Sequence, residues 1–171
     1  MAETPEQYTQ RILNALGHRD PVSVLQETPA KLAELLQSPP ADVLKQRPAP
    51  GKWSVVEILA HLADAEMVVG FRVRLIVGQP GVPIQAFDQD VWARFSHYDQ
   101  VPASESLERF AVNRRENVRL LRSLTPEQLQ HHGMHSERGR ETVAHVLKMW
   151  ARHDLNHRGQ IERMLGKSAA A

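Results

Sequence analysis

Residues 54–78 open with Ser54-Val-Val-Glu57 and close with Gly78, and between these signals apolar residues recur at helical spacing. The opening is a capping box: the Ser oxygen accepts from a free backbone N–H while the Glu reaches back to the Ser N–H. Val55, Ile58, Leu59, Leu62, Ala65, Val69, Val73 and Ile76 then form one stripe, which needs a cover. Three further segments of the same kind can supply it. Asp20-Pro21 joins an N-cap to a Pro at the first helical position and predicts a helix to about Gln37, with Thr28-Pro29 as a point of restart or kink. Ala103 to Leu124 carries Leu107, Phe110, Ala111, Val118, Leu121 and Leu124 on one face. The last long helix is expected from about Glu141 to Leu165, ending at Gly166.

The connections set the topology. Arg47-Pro-Ala-Pro-Gly-Lys-Trp53 is a strong break, and residues 78–102 are rich in Gly, Pro and Asp. Within that long connection a short extended piece is expected at Val82–Phe87 and a short helix around Asp90–Phe95. Thr125-Pro126 reads as a further capped turn, residues 131–140 as a polar loop, and Thr4–Leu16 as a short leading helix. The expected fold is therefore all-α, a four-helix bundle forming a single domain over residues 1–171 with its core at about 20–165. A connection as long as 78–102 allows a crossover that leaves helices two and three parallel, with the fourth antiparallel to both.

Composition narrows the chemistry. Nine His and no Cys exclude disulfides, thiolate zinc sites, iron–sulfur clusters and a Cys nucleophile. With 21 Lys+Arg, 20 Asp+Glu and 5% aromatics, the chain has neither a polybasic arm nor base-stacking platforms, so nucleic acid is not an expected partner. No secretory signal and no membrane span are read, and a cytoplasmic protein is expected.

Three histidines stand out. His153 and His157 are four residues apart, about 40° on a helix, so both imidazoles can converge on one ion. They share a face with Trp150 and Gln160 that should point inward, and buried polar groups need partners. A metal pair and hydrogen-bonded core histidines both fit this spacing. His131 and His135 repeat it, but they straddle Gly133 in the polar loop and read, with His132, as solvated surface. His61 lies seven residues, about 10 Å, into helix two, and the His153/His157 pair about 15 Å before the end of helix four. In antiparallel helices these positions come level.

Three stretches together carry a family resemblance: Gly51-Lys-Trp-Ser-Val-Val-Glu-Ile-Leu-Ala-His61-Leu-Ala-Asp-Ala-Glu66, Phe87-Asp-Gln-Asp-Val-Trp-Ala93, and Met149-Trp-Ala-Arg-His153-Asp-Leu-Asn-His157-Arg-Gly-Gln-Ile-Glu-Arg-Met-Leu165. They resemble the DinB-like superfamily of metal-binding bundles, the damage-inducible family and not the DNA polymerase. The resemblance covers about Asp20 to Leu165. It implies an up-down-down-up bundle with a crossover between helices two and three, holding one divalent metal ion per chain on His61, His153 and His157. All-nitrogen ligation suits Zn or Ni, with Fe also compatible. It further implies a metal-dependent hydrolase or thiol S-transferase acting on a small molecule, for which a low-molecular-weight thiol is one candidate. A non-catalytic stress-response bundle is the alternative, and an apolar bundle face would suit a homodimer.

Further residues are expected near the site. Asp64, one turn after His61, is a candidate base or ligand-orienting group, and Gln160 a candidate contact to a bound ligand. Asp88, Asp90 and Trp92 lie on the crossover, which is placed to cover the open side. Arg114 and Asn117 fall inside an apolar stripe, where a buried Arg needs a partner, such as an anionic substrate group, or must snorkel out. Trp53 and Trp150 are expected in the core.

Overall fold

The computed structural model describes residues 16–167; the expected leading helix at Thr4–Leu16 lies outside them except for Leu16, which packs into the core. The long helices are α1 (Pro21–Leu36), α3 (Val55–Gly78), α5 (Ala103–Ser123) and α6 (Val143–Met164). Short helices α2 (Ala41–Lys45) and α4 (Gln89–Phe95) sit in the connections, and three strands, β1 (Pro83–Ile84), β2 (His132–His135) and β3 (Gly139–Thr142), close one end.

The caps are those the residue types dictate. Asp20 accepts from the Ser23 amide at 2.8 Å, and Ser54 and Glu57 complete their capping box, which Arg47 extends by pairing with Glu57. Asp88 caps α4 by accepting from the amides of Asp90 and Val91. The turn at Thr125 is capped reciprocally with Gln128.

Cross-helix contacts establish the directions. Asp64 and Glu66 of α3 meet Arg109 and Arg114 of α5 in ascending order, and Gly70 lies against Asn117, so α3 and α5 run parallel. His61, near the start of α3, meets His153 and His157, whereas Ile76, near its end, shares a core with Val143 and Leu147. Hence α6 is antiparallel to α3. Leu25 packs with Trp150 and the Leu35 carbonyl accepts from Lys167 at 3.1 Å, so α1 runs with α6. The order is up-down-down-up, with the crossover between the second and third long helices.

Two of the expectations are corrected. Thr28-Pro29 does not restart the helix, since α1 runs unbroken through Pro29. Proline removes the donor for the carbonyl four residues earlier; that carbonyl, Leu25 O, instead accepts from Arg114 Nη1 at 2.6 Å. Residues 131–140 are not a solvated loop. Gly139, at φ 73°, ends a tight turn between β2 and β3, and His135 pairs with Gly139 across it. β1 then joins β2 in parallel, with Ile84 opposite His135. Gly133 is packed so closely that a Cβ there would lie 2.7 Å from Ile84 and 3.0 Å from Ile76. Because β3 takes residues 139–142, α6 starts at Val143, two residues later than expected.

The core is in two parts. Val24, Leu25, Val73, Ile76, Leu121 and Trp150 belong to one apolar cluster, and Leu32, Leu59, Leu62, Phe110 and Ile161 to the other. Between them lies a polar waist. Arg114, 1% exposed, donates to Glu66 (0% exposed) through Nε at 2.9 Å and Nη2 at 2.6 Å, and to Asp154 (1% exposed) through Nη1 at 2.6 Å. With its bond to Leu25 O, one guanidinium ties all four long helices. Asn117 extends the network, donating to Glu66 Oε1 at 2.8 Å and accepting from Arg74 at 2.6 Å. Arg114 thus neither snorkels nor waits for a substrate anion: its partners are carboxylates of this chain. Among the described residues no helix is long and apolar enough to cross a membrane.

Candidate metal centre

His61 comes from α3 and His153 and His157 from successive turns of α6, beside the waist. Their ring centroids lie 5.0, 5.0 and 4.4 Å apart, and one ligand nitrogen from each lies within 4.8 Å of the others. Nitrogens bound at about 2.0–2.1 Å to one ion lie roughly 3–4 Å apart, and the three here are close to that spacing. His61 Nε2 and His153 Nε2 already approach to 2.9 Å. His61 and His157 are buried, and His153 is half-buried.

The protonation states suit a cation. Burial pushes the His61 imidazole down to about 3, with the neighbouring His157 adding to it. Burial likewise lowers His157 to about 4 against the opposing Gln160 hydrogen bond, and holds His153 well below its ordinary value. All three rings are therefore neutral near pH 7, each with a nitrogen lone pair to offer. Gln160 Oε1 accepts from His157 Nδ1 at 2.9 Å, which assigns the proton to Nδ1 and leaves Nε2 free. His61 Nδ1 is buried without a partner, so its sole polar contact is another imidazole nitrogen. A buried ring with that single contact is poorly satisfied, and an ion between it and the half-buried His153 would satisfy both.

A cleft of about 620 Å³ opens onto His153 and His157. Trp53, Ile58 and Met164 give it apolar walls, while Lys52, Arg163 and Asp90 supply charge. Asp90 and Gln89 belong to α4, so the crossover does cover this side. Asp88 instead serves as the cap of α4, and Trp92 packs between Phe87 and Phe95 at centroid distances of 4.9 and 6.3 Å.

The other expected residues divide. Gln160 lines the cleft and orients His157. Asp64 does not line it: Oδ2 accepts from Tyr98 at 2.6 Å and Oδ1 from Arg109 at 2.5 Å, leaving no oxygen directed at the histidines. Burial and Asp64 together push the Tyr98 hydroxyl up, keeping it a donor. Trp150 is buried in the core, but Trp53 is not a plain core residue: its ring lies 4.9 Å from His61 and 6.4 Å from Tyr98. Asp64, Tyr98 and Trp53 therefore form a brace from the crossover to His61. Its sequence signal is faint, because Tyr98 lies in a single 3-10 turn, Tyr98–Gln100, too short to show a period and entered through His97 at φ 50°. His135 is also misread as surface; it is buried, and its Nδ1 accepts from the Glu137 and Arg138 amides.

Comparison with known proteins agrees with this architecture. A relative from Oceanobacillus iheyensis named "putative metal-dependent hydrolase" is 27% identical over 65% of this chain and 64% of its own length. YfiT of Bacillus subtilis, which carries the same name, is 26% identical over 86% of this chain and 85% of its own. A solved structure of YfiT, described as having an unusual four-helix bundle topology, superimposes with a TM-score of 0.77 at 23% identity, covering 98% of this chain and 92% of that one. Residues 25–161 match the DinB superfamily, and the chain belongs to that family.

Proposed function

We propose that His61, His153 and His157 hold one divalent metal ion and that the protein is a metal-dependent enzyme acting on a small molecule in the adjoining cleft. The observation that carries this reading is the convergence of three neutral imidazoles from two helices, one with an orphaned nitrogen and one oriented by Gln160. Such an ion supplies Lewis acidity and activates a nucleophile at neutral pH. Zn and Ni fit an all-nitrogen donor set, and Fe is compatible.

The chain's own groups define the rest. His153 and His157 face the cleft, so the open side of the centre points to where a small molecule would enter. Trp53, Ile58 and Met164 would bind an apolar segment, and Lys52 and Arg163 a polar or anionic end. Gln160 acts through His157 as a positioning residue, and Asp64 through Tyr98 and Trp53. The relatives' name favours hydrolysis. Thiol transfer is the second reading, favoured by a chain without Cys, in which any thiol must arrive with the substrate.

Metal analysis of the purified protein tests the centre: about one ion per chain is expected, and none in His153→Ala/His157→Ala. Full occupancy in that double variant refutes it. Metal-loaded protein is then assayed for ester and amide hydrolysis and for conjugation of low-molecular-weight thiols to electrophiles. Turnover in one panel selects the reaction, and bound metal with no turnover in either supports a non-catalytic metal-binding bundle.

A further inference from the structure

The metal cleft is not isolated. A second hollow of about 540 Å³ adjoins it, because Gly51, Lys52, Trp53 and Asp90 stand in the walls of both. The two linings differ. The first is apolar around Trp53, Ile58 and Met164, whereas the second adds Arg47, Glu57, Arg94 and Asp99, with Ala93 as a small apolar residue among them. Arg47 and Glu57 are closed on one another, Arg47 Nε donating at 3.0 Å, and Glu57 is also engaged in the cap of α3. The other four charged groups, Lys52, Arg94, Asp90 and Asp99, form no ion pair and no side-chain hydrogen bond among the described residues. Asp90 and Arg94 even stand four residues apart on α4, the spacing at which opposite charges on a helix normally meet. The hollow thus presents two unpaired cations and two unpaired carboxylates. A ligand group of one sign meets its like there, whereas a group carrying both signs is complementary to the whole lining.

We propose that the second hollow is a subsite continuous with the metal cleft and takes the dipolar tail of an elongated substrate, a free amino-acid group whose carboxylate meets Lys52 and Arg94 and whose ammonium meets Asp90 and Asp99. This rests on the reading of the cleft beside His61, His153 and His157 as the place where substrate reacts. The substrate class is then a small molecule with its reacting group at one end and a zwitterionic amino-acid group at the other. Trp53, common to both walls, lies along the apolar segment between them. Lys52 stands on the boundary, so an anionic end held there continues into the second hollow. Ala93, Arg94 and Asp99 line the second hollow and not the metal cleft, so they set specificity without touching the reacting end.

Hydroxamates of equal chain length supply the test. Octanohydroxamate ends in a methyl, suberic acid monohydroxamate in a carboxylate, ω-amino-octanohydroxamate in an ammonium, and aminosuberic acid ω-hydroxamate in both charges. Each is titrated into Co²⁺-loaded protein, whose visible spectrum reports ligation of the metal by the hydroxamate head. The dipolar tail is expected to bind about fivefold or more tighter than the methyl end, the scale of a few exposed ion pairs, and tighter than either single-signed tail. Arg94→Ala removes one cation and Ala93→Phe fills the hollow; in both, the ratio of dipolar to methyl affinity should fall to within about twofold. A ratio of two probes on one variant cancels any change at the metal centre. If Ala93→Phe does not fold, Arg94→Ala decides the matter. A single-signed tail that matches the dipolar one overturns the proposal, as does a dipolar advantage that survives both variants. Protein that takes up no Co²⁺ refutes the metal centre and this inference with it. Bound Co²⁺ that all the hydroxamates ligate with equal affinity refutes only the second subsite.

Discussion

Gly70 of α3 packs directly against Asn117 of α5, and substituting it opposes two effects of known size. An Ala in a helix interior is favoured over Gly by roughly 0.5–1 kcal/mol. A Cβ at position 70 would, however, lie 2.5 Å from both terminal atoms of the Asn117 amide and 2.7 Å from its carbon. Ordinary contact begins near 3.4 Å, so the amide would have to retreat by almost an ångström. It is not free to do so, because Asn117 donates to Glu66 Oε1 at 2.8 Å and accepts from Arg74 at 2.6 Å. Overpacking costs about 1–3 kcal/mol, and a displaced hydrogen bond to a charged group about 1.5–3 kcal/mol. Taking both and subtracting the propensity gain, Gly70→Ala should destabilise by about 1.5–5.5 kcal/mol. Urea unfolding should show a lower midpoint at unchanged slope. The sign should reverse in an Asn117→Ala background: with the amide gone, Gly70→Ala becomes stabilising by about 0.5–1 kcal/mol. A Gly70→Ala variant more stable than wild type, or equally destabilised in both backgrounds, would refute the reasoning.

Other outcomes follow from the same structure. Chelation should leave most of the helical circular dichroism intact, because two apolar clusters and not the histidines form the core; loss of the whole helical signal would contradict that. Gln160→Leu removes the acceptor of His157 Nδ1 and should weaken metal binding about 10–100-fold with little change in apo stability, as judged by chelator competition alongside urea unfolding. Burial pushes the Glu57 carboxyl up, but hydrogen bonds from Arg47 and Ser54 outweigh it and hold the group below its ordinary 4.5. A folded value below the unfolded one stabilises above about pH 4.5, and that contribution is lost as pH falls through the folded value. Stability measured roughly between pH 5 and 3 should therefore fall less steeply for Glu57→Gln than for wild type, and matching slopes would count against the pairing.

What the sequence made legible is what local chemistry decides. Ser54 and Glu57 are three residues apart and satisfy one another, so the start of α3 could be read directly. The same holds for Asp20 before Pro21, and for the stripes that bury Phe110, Val118 and Leu121. Levelling two antiparallel helices put His61 at the height of His153 and His157, because helical rise is constant, and the family resemblance was needed to join the three in one site. The misreadings concern partners remote in sequence. β1 pairs with a strand about fifty residues later, and four-residue strands containing His, Gly and Arg carry no alternating pattern. Arg114 announced that it needed a partner, yet nothing in the spacing says that Glu66, Asp154 and the carbonyl freed by Pro29 supply it. Asp64 looked available because it is close to His61 in sequence; Tyr98 and Arg109, which take both its oxygens, come from other elements.

The single guanidinium that joins four helices has a kinetic consequence. Arg114 can complete its bonds to Leu25, Glu66 and Asp154 only after α1, α3 and α6 have all docked on α5. A waist that closed after the apolar ends had assembled would be absent from the folding transition state. Interactions absent from the transition state act on the unfolding rate and leave the folding rate nearly unchanged. Such a waist would work as a latch: substitutions at Arg114 would speed unfolding and leave the folding rate nearly unchanged, while those in the two apolar clusters would slow folding.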